Sequence, residues 1–132
     1  MPQLITRSEN KNKIAELDWI GTIWQRPVHR IFWIYNVPDA VSRGSHHHQT
    51  CRMILQCLVG SVEVYVQTPT EDHYFTLNSI SQYLFLDAQD WRLMHKFSAN
   101  AVLVVLADKS FETTIYLDQP YRFINLNQVT TS

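Results

Sequence analysis

The stretch Cys51–Gln67, CRMILQCLVGSVEVYVQ, decides the fold. Its second half puts Val62, Val64 and Val66 on one side of an extended chain and Glu63 and Tyr65 on the other, the period-two alternation of a strand with one face in a core. Its first half is another apolar run, and Gly60 between the two turns the chain back as a hairpin does. Cys51 and Cys57 lie six residues apart on one arm of that hairpin. Such a pair does not bridge and lacks zinc spacing, so both thiols are expected to be buried packing groups.

The same pattern continues outward in both directions. Upstream, HRIFWIYNV alternates so that Trp33 and Tyr35 share a face; downstream, HYFTL, QYLFLD, WRLMHKF and AVLVVLAD read as strands separated by the loops QTPTED, DAQD and SANA. Helical periodicity is almost absent, and only the tail SFETTIYLDQPYRFINL could hold a short helix. Trp19, Trp24 and Trp33 read most simply as core residues, though one of the rings could instead be exposed and stack on a flat ligand. Many short strands at close spacing predict an all-β sandwich or barrel. No repeat, low-complexity segment or linker interrupts the pattern, so residues 1–132 read as one domain.

Composition removes several classes of function. A chain of 132 residues, 45% hydrophobic and 12% aromatic, can bury a sizeable core. The formal net charge is −1 and the basic residues are scattered rather than gathered into a stripe, which argues against a nucleic-acid partner. The start, MPQLITRSENKNK, has no apolar signal core, and no apolar run approaches the ~18 residues that span a bilayer. A cytoplasmic protein that does not engage a membrane is expected.

The polar stretch RGSHHHQ, Arg43–Gln49, resembles a purification tag but lies mid-chain between two patterned strands, where it reads as native. On an extended backbone His46 and His48 point one way and His47 the other, towards the surface or an interface. By spacing alone, the pair fits a functional site and two structural histidines equally well. A His-x-His strand followed by a glycine turn resembles the first motif of the cupin barrels, whose metal-binding members add a glutamate and a later histidine. Arg52 or Met53 stands at the glutamate position here and Arg92 at the later histidine. An arginine cannot ligate a cation, and two imidazoles fall short of the ligands that zinc or a 2-His-1-carboxylate site requires. No metal and no other cofactor is therefore expected. Two imidazoles and an arginine suit proton transfer, with the guanidinium or a tyrosine hydroxyl stabilising an oxyanion.

Longer motifs carry a closer resemblance. VHRIFWIYNVP, RGSHHHQ, VGSV and WRLMHKFSANAVLVVLA resemble, in order, the IKRVFYIYDVP, RGxHAHK, Gly-Ser turn and WxxMxxFSxxAVLLVLA of the sugar-nucleotide 3,4-ketoisomerases, the WxcM-like cupins that act on dTDP-4-keto-6-deoxyglucose. The resemblance runs from about Arg26 to Ile124. It implies an RmlC-like jelly-roll barrel and a metal-independent isomerase that moves a ketone from carbon 4 to carbon 3 through an enediolate, in deoxy-aminosugar biosynthesis. It implies an active site formed by His46 and His48 with Tyr35 close by. Because an imidazole on a rigid strand can be neutral at cellular pH and still carry a proton, His48 is the expected shuttle, His46 its partner and Tyr35 the oxyanion donor. Arg43 and Arg92 would lie nearby, and Arg30 would grip the diphosphate. It also implies a homodimer that exchanges N-terminal strands, for which Lys13–Gln25 is apolar enough. His29, His73 and His95 are assigned to the surface or to supporting positions. The sequence departs from the family at Lys11, which stands roughly where an active-site arginine is expected, at His47 for an alanine, at Gln49 for a lysine and at Met53 for a glutamine. A cupin that binds a nucleotide sugar or a partner protein without isomerising anything is the alternative reading.

Overall fold

The hairpin at Gly60 is the centre of the molecule. In chain order the elements are β1 (Gln3–Thr6), α1 (Leu17–Trp24), β2 (Arg30–Tyr35), β3 (Arg43–His48), β4 (Met53–Val59), β5 (Val62–Gln67), β6 (Asp72–Leu77), β7 (Gln82–Leu86), β8 (Trp91–His95), β9 (Val102–Ala107) and β10 (Tyr116–Leu117). This is a computed structural model, and it describes residues 2–7, 17–38, 41–48, 50–110, 116–124 and 126. Gly60 adopts φ +75, and a Cβ there would lie 2.2 Å from Ser98 Oγ and 3.0 Å from Ala101 Cα. Only glycine satisfies both the left-handed backbone and that close approach.

The strands form two antiparallel sheets, ordered β1-β7-β4-β9-β2 and β10-β3-β8-β5-β6. The hairpin joins them, since β4 lies inside the first sheet and β5 inside the second. Val62, Val64 and Val66 face Met53, Leu55, Cys57, Leu103 and Val105 across the space between the sheets, and all are buried. Both cysteines are buried thiols.

Alternate residues of β9 point the other way. Val104 and Leu106 meet Ile54, Tyr83 and Ile20 on the outer face of the first sheet, beneath α1. Trp19 and Trp24 pack on that cluster, with the Trp19 ring 4.8 Å from that of Tyr83. The helix ends at Gln25, whose φ of 56 is left-handed and whose amide donates to the Gly21 carbonyl at 2.9 Å. No helix among the described residues is long and apolar enough to cross a membrane.

Three expectations need correction. The described part of the tail holds the short strand β10 and no helix; the helix is α1, within the segment expected to be an exchanged strand. Trp33 is 54% exposed rather than core, because β2 is an edge strand whose outer row Ile31, Trp33 and Tyr35 extends beyond the cover of α1. Tyr35 lies in that row, 62% exposed, and so faces away from the space between the sheets.

Candidate active site

The histidine strand is shaped by its first residues. Gly44 and Ser45 take φ +90 and +58, and the pairing of β3 with β8 shifts between Gly44, opposite Leu93, and His46, opposite Arg92. Ser45 is thus the extra residue of a β-bulge, which bends the strand and re-aims the side chains beyond it. A Cβ on Gly44 would stand 3.0 Å from the Arg92 carbonyl oxygen and 3.1 Å from Met94 Cε, so glycine keeps the two strands close. Past the bulge, His46 and His48 share the inner face, their rings edge to face at 4.7 Å. His47 points outward. It is half-buried rather than bare, with Tyr121 packed on its ring at 5.2 Å.

His46 opens on a cavity of about 220 Å³ between the sheets. Arg30, Arg43 and Arg92 supply charge around it, while Phe32, Ile34, Met53, Leu55, Met94 and Val105 supply its apolar wall. Among the described residues no carboxylate lines it. A larger, more open groove of about 600 Å³ runs past Glu71, Asp87 and Asp90, whose carboxylates suit an anionic ligand poorly. Arg92 is 1% exposed and fixed from behind. Its Nε and Nη2 donate to the Asp90 carbonyl at 3.1 and 2.9 Å, Nη2 also donates to the Asp87 carbonyl at 3.1 Å, and Nη1 touches Met53 Sδ at 3.3 Å. Arg30 stacks over the Phe32 ring at 4.9 Å.

The imidazoles are tuned by this setting. His46 Nδ1 lies 2.9 Å from the Gly44 carbonyl oxygen, which can only accept. The proton of the neutral ring is therefore on Nδ1, and Nε2 is the nitrogen able to take another. Burial lowers the His46 pKa, the Gly44 hydrogen bond opposes that, and Arg92 adds to it. His48 has no exposed surface and sits behind His46; burial, then Arg92, then His46 push its pKa down to about 2. Both rings are neutral bases at cellular pH, and an anion beside Arg92 would raise their basicity by offsetting its field.

The structure brings together His46, His48, Arg30, Arg43 and Arg92 from the expected set. It separates Tyr35, which is on the outer face, and Lys11 lies outside the described residues. His29, His73 and His95 do not line the cavity; His73 stacks on Phe75, and His95 Nε2 is 3.7 Å from a Glu63 oxygen. Met53, noted only as a departure, is part of the wall and the contact of Arg92. Among the described residues no three of His, Cys, Asp and Glu gather as a metal ion would need. The donor set at the cupin metal position, two imidazoles beside a guanidinium, does not fit a cation.

Known proteins share this fold. The solved structure of a histidine-to-asparagine variant of the 3,4-ketoisomerase QdtA from Thermoanaerobacterium thermosaccharolyticum, in complex with TDP-4-keto-6-deoxyglucose, superposes with a TM-score of 0.77 at 27% identity, covering 89% of this chain and 87% of that one. A TDP-4-oxo-6-deoxy-alpha-D-glucose-3,4-oxoisomerase from Aneurinibacillus thermoaerophilus is 30% identical over 92 residues, which span 70% of this chain and 66% of that relative's length. The RmlC epimerase of Mycobacterium tuberculosis, 13% identical with a TM-score of 0.66 over 83% of this chain and 64% of that one, shares the fold and shows it to be the RmlC-like cupin barrel. The family model described as FdtA, WxcM-like, C-terminal, matches residues 3–128. Since that match takes in every strand described above, from β1 to β10, together with the histidine bulge and the arginine-walled cavity, the chain belongs to the FdtA, WxcM-like family.

Proposed function

We propose that this chain is a sugar-nucleotide 3,4-ketoisomerase acting on dTDP-4-keto-6-deoxyglucose or a close relative of it. The observation that carries the reading is the cavity itself, in which a neutral imidazole of defined tautomer lies beside a buried guanidinium on one wall of an apolar chamber of about 220 Å³. A base takes the carbon 3 proton, and the electron pair forms the carbon 3–carbon 4 double bond and places charge on oxygen 4. The proton of the carbon 3 hydroxyl passes to oxygen 4, carbon 4 receives a proton, and the ketone is left at carbon 3. Arg92 faces the developing oxyanion with a charge that needs no reorganisation. Arg30 and Arg43 meet the diphosphate at the rim, where planar guanidiniums can grip phosphate oxygens two at a time.

His46 and His48 are proposed as one proton-handling unit. His48 remains the proposed shuttle, and His46 stands between it and the cavity, so the proton reaches the sugar at or through His46 Nε2. Tyr35 has no part in this scheme, and the backbone-anchored Arg92 takes over its oxyanion role. A homodimer is also proposed. Its support is the exposed row Ile31, Trp33 and Tyr35 on an edge strand, an apolar surface of the kind that partners cover; β1, at the opposite edge, is the described N-terminal strand available for exchange. A monomeric mass at micromolar concentration would contradict it.

Incubation with dTDP-4-keto-6-deoxyglucose in heavy water, followed by proton NMR, tests the activity. A 3-keto product with deuterium at carbon 4 is expected. Tight binding of the nucleotide sugar with neither product nor exchange would establish the non-catalytic alternative instead.

A further inference from the structure

Gln67 ends β5 and has no exposed surface. It lies on the face of the second sheet away from the cavity, beside Tyr65 and Trp91, and its amide is fully engaged. Oε1 accepts from the Tyr121 and Arg122 amides at 2.9 and 3.1 Å, while Nε2 donates to the Tyr65 hydroxyl at 2.8 Å and to the Arg122 carbonyl at 3.2 Å. Tyr65 in turn donates to Asp72 at 2.7 Å, and Asp72 also receives the Arg122 guanidinium. This network fastens residues 116–124 as a strap across the back of the sheet, helped by Trp91 Nε1, which donates to the Asp118 carbonyl at 2.9 Å.

The strap touches the histidine strand twice. Its backbone, as β10, pairs with β3 at Leu117 opposite His47 and Tyr116 opposite His48, and its Tyr121 ring rests on His47 while the Tyr121 hydroxyl is held by the Gln89 carbonyl. Among the described residues β10 is the neighbour of β3 on that side, so without the strap β3 would be a sheet edge, already bent by a bulge. A strand in that state frays, and its two imidazoles would lose a fixed distance to the cavity.

We propose that Gln67 is a positioning residue for the reaction proposed above, seating the strap so that β3 holds the His46–His48 pair against the cavity. It touches neither substrate nor imidazole and acts only through the strap. The substrate meets the front of β3 and Gln67 supports the back, so the defect should show in turnover rather than in binding.

The test compares wild type with Gln67→Met, which keeps the volume and removes the hydrogen bonds, and with Tyr121→Leu, which removes the ring from His47 at a partly exposed position and serves if the first variant does not fold. A displacement of order 1 Å at reacting groups costs up to ~100-fold, so kcat should fall about 10- to 100-fold with KM within about threefold. Amide hydrogen exchange should show lost protection in the strap and β3 with the β4–β5 hairpin still protected, and the imidazole NMR signals of His46 and His48 should move. A released strap with unchanged imidazole signals and unchanged kcat would overturn the proposal, as would a rise in KM alone. The spectra need no substrate, so an inactive wild type would sink the isomerase reading and leave the positioning proposal to be decided by the imidazole signals.

Discussion

His48 should make the fold acid-sensitive by an amount that can be worked out. In the native state its pKa is pushed down to about 2, first by burial and then by Arg92, from the 6.5 that an unfolded chain recovers. Above the unfolded value both states are neutral and the residue is silent. As pH falls below it the unfolded chain takes up a proton that the native chain refuses, so stability declines from about pH 6.5 down towards the folded value. The slope is about 1.4 kcal/mol per pH unit for one proton, so the loss between about pH 7 and about pH 5 is roughly 2 kcal/mol. That is a large part of the ~5–15 kcal/mol that holds a domain together. Burial shifts His46, His47 and His95 in the same direction and raises Asp90, which acts oppositely, so wild-type data alone would mix several groups. The comparison with His48→Asn isolates one. Urea unfolding of both proteins at both pH values should find the variant less stable at neutral pH and the gap smaller by roughly 2 kcal/mol at about pH 5. A gap that stays constant across this range would refute the argument that His48 is held neutral.

In steady-state assays, His48→Asn and His46→Asn should each lower turnover by about 100-fold or more with nucleotide affinity, read by calorimetry with dTDP, largely kept. Arg43→Ala, at the exposed rim, should raise KM by about tenfold with turnover nearly unchanged, since it removes a contact made alike in ground and transition states; a fall in turnover alone would move Arg43 into the chemistry. Tyr35→Phe should leave turnover within about twofold, because the hydroxyl is on the outer surface. Gly60→Ala should destabilise by about 2 kcal/mol or more, seen as a lower Tm, since it combines a strained φ with a Cβ on top of Ser98.

The strands were legible because β5 presents one apolar face of period two and β9 is a short unbroken apolar run, and Gly60 because two apolar runs flank it. The helix was not. LDWIGTIW carries a glycine and three β-branched residues, and it becomes helical because Ile20, Trp19 and Trp24 find Tyr83, Val104 and Leu106, partners more than sixty residues away from Ile20. Period two also sorts side chains into two sets without saying which set is inside. Both sets of β2 are apolar, Phe32 and Ile34 against Ile31, Trp33 and Tyr35, and the pattern points equally well to the wrong one as the interior. Spacing placed His46 and His48 on one face and Arg92 opposite. It could not rank the two histidines by depth, which depends on the Gly44–Ser45 bulge. Gln67 left no local signal, because its partners are backbone groups 54 and 55 residues further on.

The exposed ring of Trp33 gives the protein a built-in optical reporter. It is the most exposed of the four tryptophans, whereas Trp91 is 1% exposed and Trp19 and Trp24 are partly covered beside the first sheet. An indole in water emits at longer wavelength and collides freely with iodide, and one sealed in an apolar contact does neither. If a second subunit closes over β2, diluting the protein should shift its emission to the red and open a quenchable fraction that is absent in concentrated solution. A Trp33→Phe variant should lose that change while keeping the signal of the buried rings, so self-association can be followed without any label.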